Sequence, residues 1–110
     1  GALAAPVFVV RHAERAALPA GDPVLTDAGV TRAAALATRL DDVRLGGAVV
    51  TDRQRTRLTA LPALVAQRVD TAAAARRLVV VPIGTDGAAA HAARVADSAR
   101  ALARRTGRAV

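Results

Sequence analysis

Arg11-His12-Ala13-Glu14 is the first place in this chain where residue types and spacing could do chemistry. A neutral imidazole is a nucleophile, and an adjacent guanidinium can neutralise an incoming oxyanion. The pair suits an incoming oxyanion. The second such place is Thr51-Asp52-Arg53-Gln54-Arg55-Thr56, which reads as a strand end passing into a helix. A helix start offers free backbone N–H groups and a positive dipole end, and Arg55 on that turn adds a bidentate phosphate donor. Arg53 and Arg57 flank it and read as a solvated face. Neither segment is informative alone, because a histidine at a strand end is more often structural than catalytic. The chemistry requires that the chain bring His12 and Arg55 together.

The elements around them make that possible. Pro6-Val7-Phe8-Val9-Val10 is a continuous apolar, mostly β-branched run, as in a strand buried in a parallel sheet. His12 would then stand outside the carboxyl end of that strand, where ligands gather in open parallel sheets. A loop over Ala16–Pro23 follows, marked by Pro19, Gly21 and Pro23. Thr26 is placed to cap a helix over Asp27–Leu40, with Val30, Ala33, Leu36, Ala37 and Leu40 on one stripe. Ala48–Val50 is a second strand, and Asp52 is placed to cap a helix over residues 53–67, where Pro62 implies a kink or a late start. Leu78–Val81 is a third strand. A last helix over Ala88–Arg105, with Asp86 placed to cap it, ends at Gly107. Arg108-Ala109-Val110 reads as the first residues of another strand. The patch Ala72–Ala75 is too short to carry structural weight. Strands alternating with helices mean βαβ units, a mostly parallel sheet and an α/β sandwich.

The chain has 110 residues, room for a single domain over residues 1–110. Just over half the residues are apolar, but much of that is alanine, so the core buries little area per residue and stability should be marginal. Net charge is +7 and every basic residue is arginine. That suits anionic partners, although abundant Ala and Arg without Lys also fits a GC-rich, bacterial-like genome, which accounts for most of the arginines. With no cysteine and two histidines, disulfides, thiolate zinc sites and a structural metal are not expected, and no cofactor is implied. No run approaches a membrane span. Residues 1–5 (Gly1-Ala2-Leu3-Ala4-Ala5) read as a signal-peptide remnant, a disordered start or a plain chain boundary. They fit an exported, periplasmic or secreted protein better than a cytoplasmic one.

Three segments in order carry a resemblance: Val9-Val10-Arg11-His12-Ala13-Glu14, Leu25-Thr26-Asp27-Ala28-Gly29, and Arg55-Thr56-Arg57-Leu58-Thr59-Ala60. Together they resemble successive signatures of the histidine phosphatase (phosphoglycerate mutase-like) superfamily, from about Pro6 to the end of the chain. The resemblance implies a three-layer α/β sandwich with a mostly parallel sheet. It implies that His12 attacks a phosphoryl group to form a phosphohistidine that water hydrolyses. Arg11 and Arg55 would bind the phosphoryl oxygens, with Thr51 orienting that arginine or touching phosphate. Two neighbouring arginines oppose protonation of the imidazole, as a nucleophile requires. Glu14 fits an orienting role for the loop or the arginines better than proton donation.

The match has departures. The family places a second pocket histidine on a later strand, and Gly107-Arg108-Ala109-Val110 resembles the start of that strand, so the C-terminal part is expected to be missing. His91 does not match that motif and reads as a helix-surface or cap residue. The general acid is unassigned, with Asp86 the nearest candidate by position. A missing strand would leave Val7–Val10 with an open edge, inviting self-association. The expected activity is hydrolysis of a phosphomonoester or phosphoamidate, borne by a small molecule or a phosphoprotein. The first alternative is a catalytically impaired, phosphate-binding relative. The second is a basic nucleic-acid-binding module, which a single aromatic residue and scattered arginines argue against.

Overall fold

The computed structural model describes residues 5–67 and 70–110. The expectation of a signal remnant or disordered start over residues 1–5 therefore falls, except for Ala5, outside the described residues. The elements run α1 (Asp27–Arg39), β1 (Ala48–Val50), α2 (Gln54–Val65), α3 (Thr71–Arg76), β2 (Leu78–Val80) and α4 (Ala88–Thr106). Among the described residues, no helix is long and apolar enough to cross a membrane.

The strands β1 and β2 pair in parallel, with Ala48 opposite Leu78, Val49 opposite Val79 and Val50 opposite Val80. Their side chains alternate across the sheet, as the pleat dictates. Ala48 and Leu78 pack with Leu45, Leu61, Leu64 and Ala74 against the side carrying α2 and α3. Val49 and Val79 pack with Ala99, Leu102 and Ala103 of α4 on the other side. Helices thus cover both faces of the sheet, which is smaller than expected. Leu64 is the one large side chain fully buried among the described residues, and alanines fill much of the remaining core. Burying a leucine contributes about 1.5–3 kcal/mol, an alanine much less, so the apolar stabilisation per core residue is small.

Most element boundaries follow local chemistry. Thr26 caps α1, its side-chain oxygen accepting from Gly29 N–H at 3.0 Å. α4 ends at Gly107, whose φ of 65° is the left-handed conformation that glycine adopts without cost. Pro62 sits inside α2 without ending it.

Several expectations are corrected. Val30 is 58% exposed, whereas Gly29 and Ala33 are buried. The inward stripe is rotated because Gly29 lies directly on the Glu14 backbone, where a Cβ would overlap the Glu14 carbonyl oxygen. Asp52 does not cap α2; its carboxylate accepts from Ile83 N–H at 3.3 Å, and Arg53 stands at the cap position. Asp86 does not cap α4 either, since Gly87 is the cap residue and Asp86 is bound to Arg94. The alanine patch belongs to α3, capped by Asp70, whose Oδ1 accepts from Ala73 N–H at 2.7 Å.

The largest correction concerns the first strand. Pro6–Val10 is not a buried central strand: Val7 to Val10 are all exposed, Val9 by 91%. Its backbone partner is the end of the chain. Phe8 N–H donates to the Val110 carbonyl at 2.8 Å, and Val110 N–H donates to the Pro6 carbonyl at 3.1 Å. Ala109 in turn pairs in parallel with Leu45, and Gly46 N–H donates to the Ala109 carbonyl at 2.8 Å. Arg108–Val110 therefore begins a strand position between Pro6–Phe8 and Leu45–Gly46. The space between Val9–Val10 and β1 is a groove.

Candidate functional site

The groove has a volume of about 580 Å³. Valines of the Val7–Val10 segment and of β1 form its apolar walls, and α4 lines it with Val95, Ala96 and Ala99. Its polar lining is His12, Thr51, Thr56, Thr59, His91 and Arg100. All but Arg100 lie in the loop after a strand or extended segment or in the first two turns of the helix that follows it, which is where a parallel α/β sheet offers ligand sites.

His12 follows the extended segment by two residues and is exposed. Its Nδ1 lies 2.9 Å from the Ala13 carbonyl oxygen. A carbonyl can only accept, so Nδ1 carries the hydrogen and the neutral ring keeps its lone pair on Nε2. That tautomer leaves the Nε2 lone pair free.

The next residue, Ala13, is buried, and its N–H donates to Thr59 Oγ1 at 3.0 Å. The Thr59 hydroxyl donates in turn to the Arg55 carbonyl at 2.7 Å. Thr59 is 5% exposed, a buried hydroxyl used in both directions. The His12 loop and the first turn of α2 are thereby tied together through one side chain. The Arg55 guanidinium is partly buried, and among the described residues its Nε is buried without a hydrogen-bond partner. A buried, unpaired charged donor is costly and demands an acceptor. Neither Arg55 nor Arg11, which is exposed, forms part of the groove wall.

The turn between β1 and α2 is closed by two threonines. Thr56 Oγ1 accepts from Thr51 N–H at 3.0 Å and donates to the Arg53 carbonyl at 2.8 Å. Thr51 Oγ1 accepts from Arg53 N–H at 3.2 Å, so this hydroxyl shapes the turn while lining the groove. The α2 start is not wholly free, as the sequence implies: Asp22 Oδ1 accepts from Gln54 N–H at 2.8 Å, and Gln54 Nε2 donates to the Asp22 carbonyl at 2.5 Å. One of the orphan amides is thus already served by an anion from the early loop.

Glu14 lies outside the groove. Its carboxylate pairs with Arg32 of α1 at 2.5 Å rather than with Arg11 or Arg55. Its carbonyl accepts from Thr26 N–H at 2.8 Å, pinning the loop to the α1 cap. Asp86 is exposed and bound by Arg94 at 2.6 Å. That hydrogen bond, aided by one to its own backbone, holds its carboxyl below the ordinary value of 3.8. His91 is not a plain surface or cap residue: it is half-buried, lines the groove, and its Nδ1 is buried without a partner among the described residues. No cluster of three or more metal-ligating side chains occurs among the described residues.

Sequence reasoning brings out His12, Arg55 and Thr51 but passes over Thr59, Thr56, Asp22 and the groove position of His91. Thr59 sits four residues after Arg55, the spacing at which a helical hydroxyl bonds back to a carbonyl, and that was the available signal. Asp22 and His91 act through tertiary contacts that spacing does not encode.

Compared with known proteins, residues 7–76 match the family model described as histidine phosphatase superfamily (branch 1). Neither the curated proteins nor the solved structures yield a match.

Proposed function

The chain belongs to the histidine phosphatase superfamily, and from that premise we propose that it hydrolyses a phosphomonoester or phosphoamidate through a phosphohistidine on His12. The finer architecture of this reading is a three-layer sandwich around a mostly parallel, phosphoglycerate mutase-like sheet. Nε2 of His12 attacks phosphorus, and water then cleaves the phosphohistidine. Arg11 and Arg55 neutralise the phosphoryl oxygens as charge builds on them. Thr51 holds the turn from which Arg55 departs. The substrate is a phosphorylated small molecule or a phosphoprotein, because the groove is open and its approaches carry short loops.

One observation carries the reading. The Ala13–Thr59–Arg55 hydrogen-bond chain links the residue after His12 to Arg55, whose Nε is buried and in want of an acceptor. A phosphoryl oxygen is the acceptor that a buried guanidinium suits best, and the free Nε2 of His12 supplies the nucleophile.

The test is turnover of p-nitrophenyl phosphate by the wild type and by His12→Ala, with acid-labile phosphoenzyme trapped in parallel. Turnover and trapped phosphate that both vanish in His12→Ala support the reading. Phosphate binding with no His12-dependent turnover would instead mark a phosphate-binding relative without activity.

A further inference from the structure

We propose that His91 is the proton donor to the leaving group, and that it later takes the proton from the attacking water. This rests on the phosphatase reading above and assigns the acid which that reading leaves open.

Within the groove, elimination leaves one candidate. Among the described residues no carboxylate lines the groove, and the ionisable wall residues are His12, His91 and Arg100. A guanidinium is too weak an acid to release a proton near neutral pH. His12 is committed as the nucleophile. The imidazole of His91 remains, and imidazole is the side chain best matched to giving and taking protons near neutral pH. The carboxylates nearest the rim outside the groove are engaged elsewhere: Glu14 with Arg32, Asp22 with the Gln54 amide, Asp52 with the Ile83 amide, and Asp86 with Arg94, which holds that carboxyl below its ordinary value.

Position supports the same assignment. His91 N–H donates to the Gly87 carbonyl at 3.1 Å, which sets the residue in the first turn of α4. That turn follows β2, which runs parallel to β1, so it emerges on the rim where Thr51 and the α2 start stand. Burial of Nδ1 without a partner among the described residues marks an imidazole whose hydrogen-bonding capacity is not spent on structure. The neighbouring contacts fix its turn: Asp86 bridges to Arg94, and Gly84 lies against both of them.

The steps balance. Nε2 of His12 forms a bond to phosphorus as the bond from phosphorus to the leaving oxygen breaks, and that oxygen takes the proton of protonated His91. Water then attacks the phosphohistidine, His91 takes a proton from it, and inorganic phosphate leaves with neutral His12 restored.

An acid matters in proportion to how poorly the leaving group departs unaided. His91→Gln keeps a polar side chain of related size and removes the acid. It should lower kcat for phenyl phosphate by about 100-fold while p-nitrophenyl phosphate falls only a few-fold, with the melting temperature near that of the wild type. Equal losses on both substrates, no loss on either, or the same leaving-group selectivity from Asp86→Asn instead would overturn the assignment. His12→Ala is the separate arm: wild-type turnover that survives it refutes the phosphatase reading, and the role of His91 falls with it.

Discussion

The amide of Ala13 and the hydroxyl of Thr59, 46 residues apart in sequence, are joined by a 3.0 Å hydrogen bond inside the protein. The same hydroxyl serves the Arg55 carbonyl, so a single oxygen sets how far the His12 loop stands from the helix that bears Arg55. Thr59→Val keeps the shape and deletes the hydroxyl, leaving the buried Ala13 amide unsatisfied at a cost of about 1–3 kcal/mol. Urea denaturation should show the loss, and His12-dependent turnover should fall by more than the unfolded fraction accounts for. Thr59→Ser should recover both. Unchanged turnover in Thr59→Val would mean that the bond has no part in positioning.

Gly29 presents a conflict of signs. In an exposed helix, Gly→Ala stabilises by about 1 kcal/mol. Here the added Cβ would overlap the Glu14 carbonyl, which itself accepts from Thr26. Backbone on both sides must separate, and overpacking of that kind costs about 1–3 kcal/mol. Gly29→Ala is therefore expected to lower the melting temperature and to weaken catalysis through displacement of the loop after His12. A rise in melting temperature would show that α1 can slide without cost.

Asp86 gives a pH dependence whose sign is fixed. Arg94 holds its carboxyl below the ordinary value of 3.8, so the folded state binds this proton less readily than the unfolded chain. The stability it contributes is present above about pH 4 and is lost as pH falls through the lowered value. Because the pair is exposed, the contribution is small and screened by salt. Denaturation of wild type and Asp86→Asn at pH 6 and pH 3 should show a difference at the higher pH that closes at the lower one. A difference that widens on acidification would contradict the pairing.

The reading of residues alone reaches the helices and much of the site because those rest on local chemistry. Thr26 and Gly107 sit where cap geometry needs them, and β1 and β2 are β-branched runs ended by polar residues or proline. It fails where a contact is remote. Nothing near Val30 reveals that Gly29 must touch Glu14, and Asp22 serves Gln54 from 32 residues away. Pro6–Val10 has the composition of a buried strand, but burial needs a neighbour on each side, and among the described residues its backbone partner is Val110 alone. His91 looked like surface because a helix pattern gives its period and not which groove it faces.

That exposed segment has a further consequence. Among the described residues neither Val9 nor Val10 makes a backbone hydrogen bond, and Val9 is 91% exposed. An apolar edge with free amides and carbonyls pairs readily with the same edge of a second copy. Sedimentation of the 110-residue chain should show association that grows with concentration, and Val9→Lys should suppress it. A monomer at every concentration would show that the edge is protected.

Among the described residues the buried Nε of Arg55 lacks an acceptor. A ligand that binds only the folded state stabilises it, by about 2.7 kcal/mol at 100 times its Kd. Inorganic phosphate should therefore raise the melting temperature of the wild type in a dose-dependent way. A hydrogen bond to a charged group contributes about 1.5–3 kcal/mol, so Arg55→Ala should weaken phosphate binding by about 10- to 100-fold and shift the dose curve accordingly. Arg55→Lys should recover little, because an ammonium lacks the planar fork that can serve two phosphoryl oxygens. If Arg55→Ala responds to phosphate as the wild type does, the guanidinium is structural and the anion binds elsewhere.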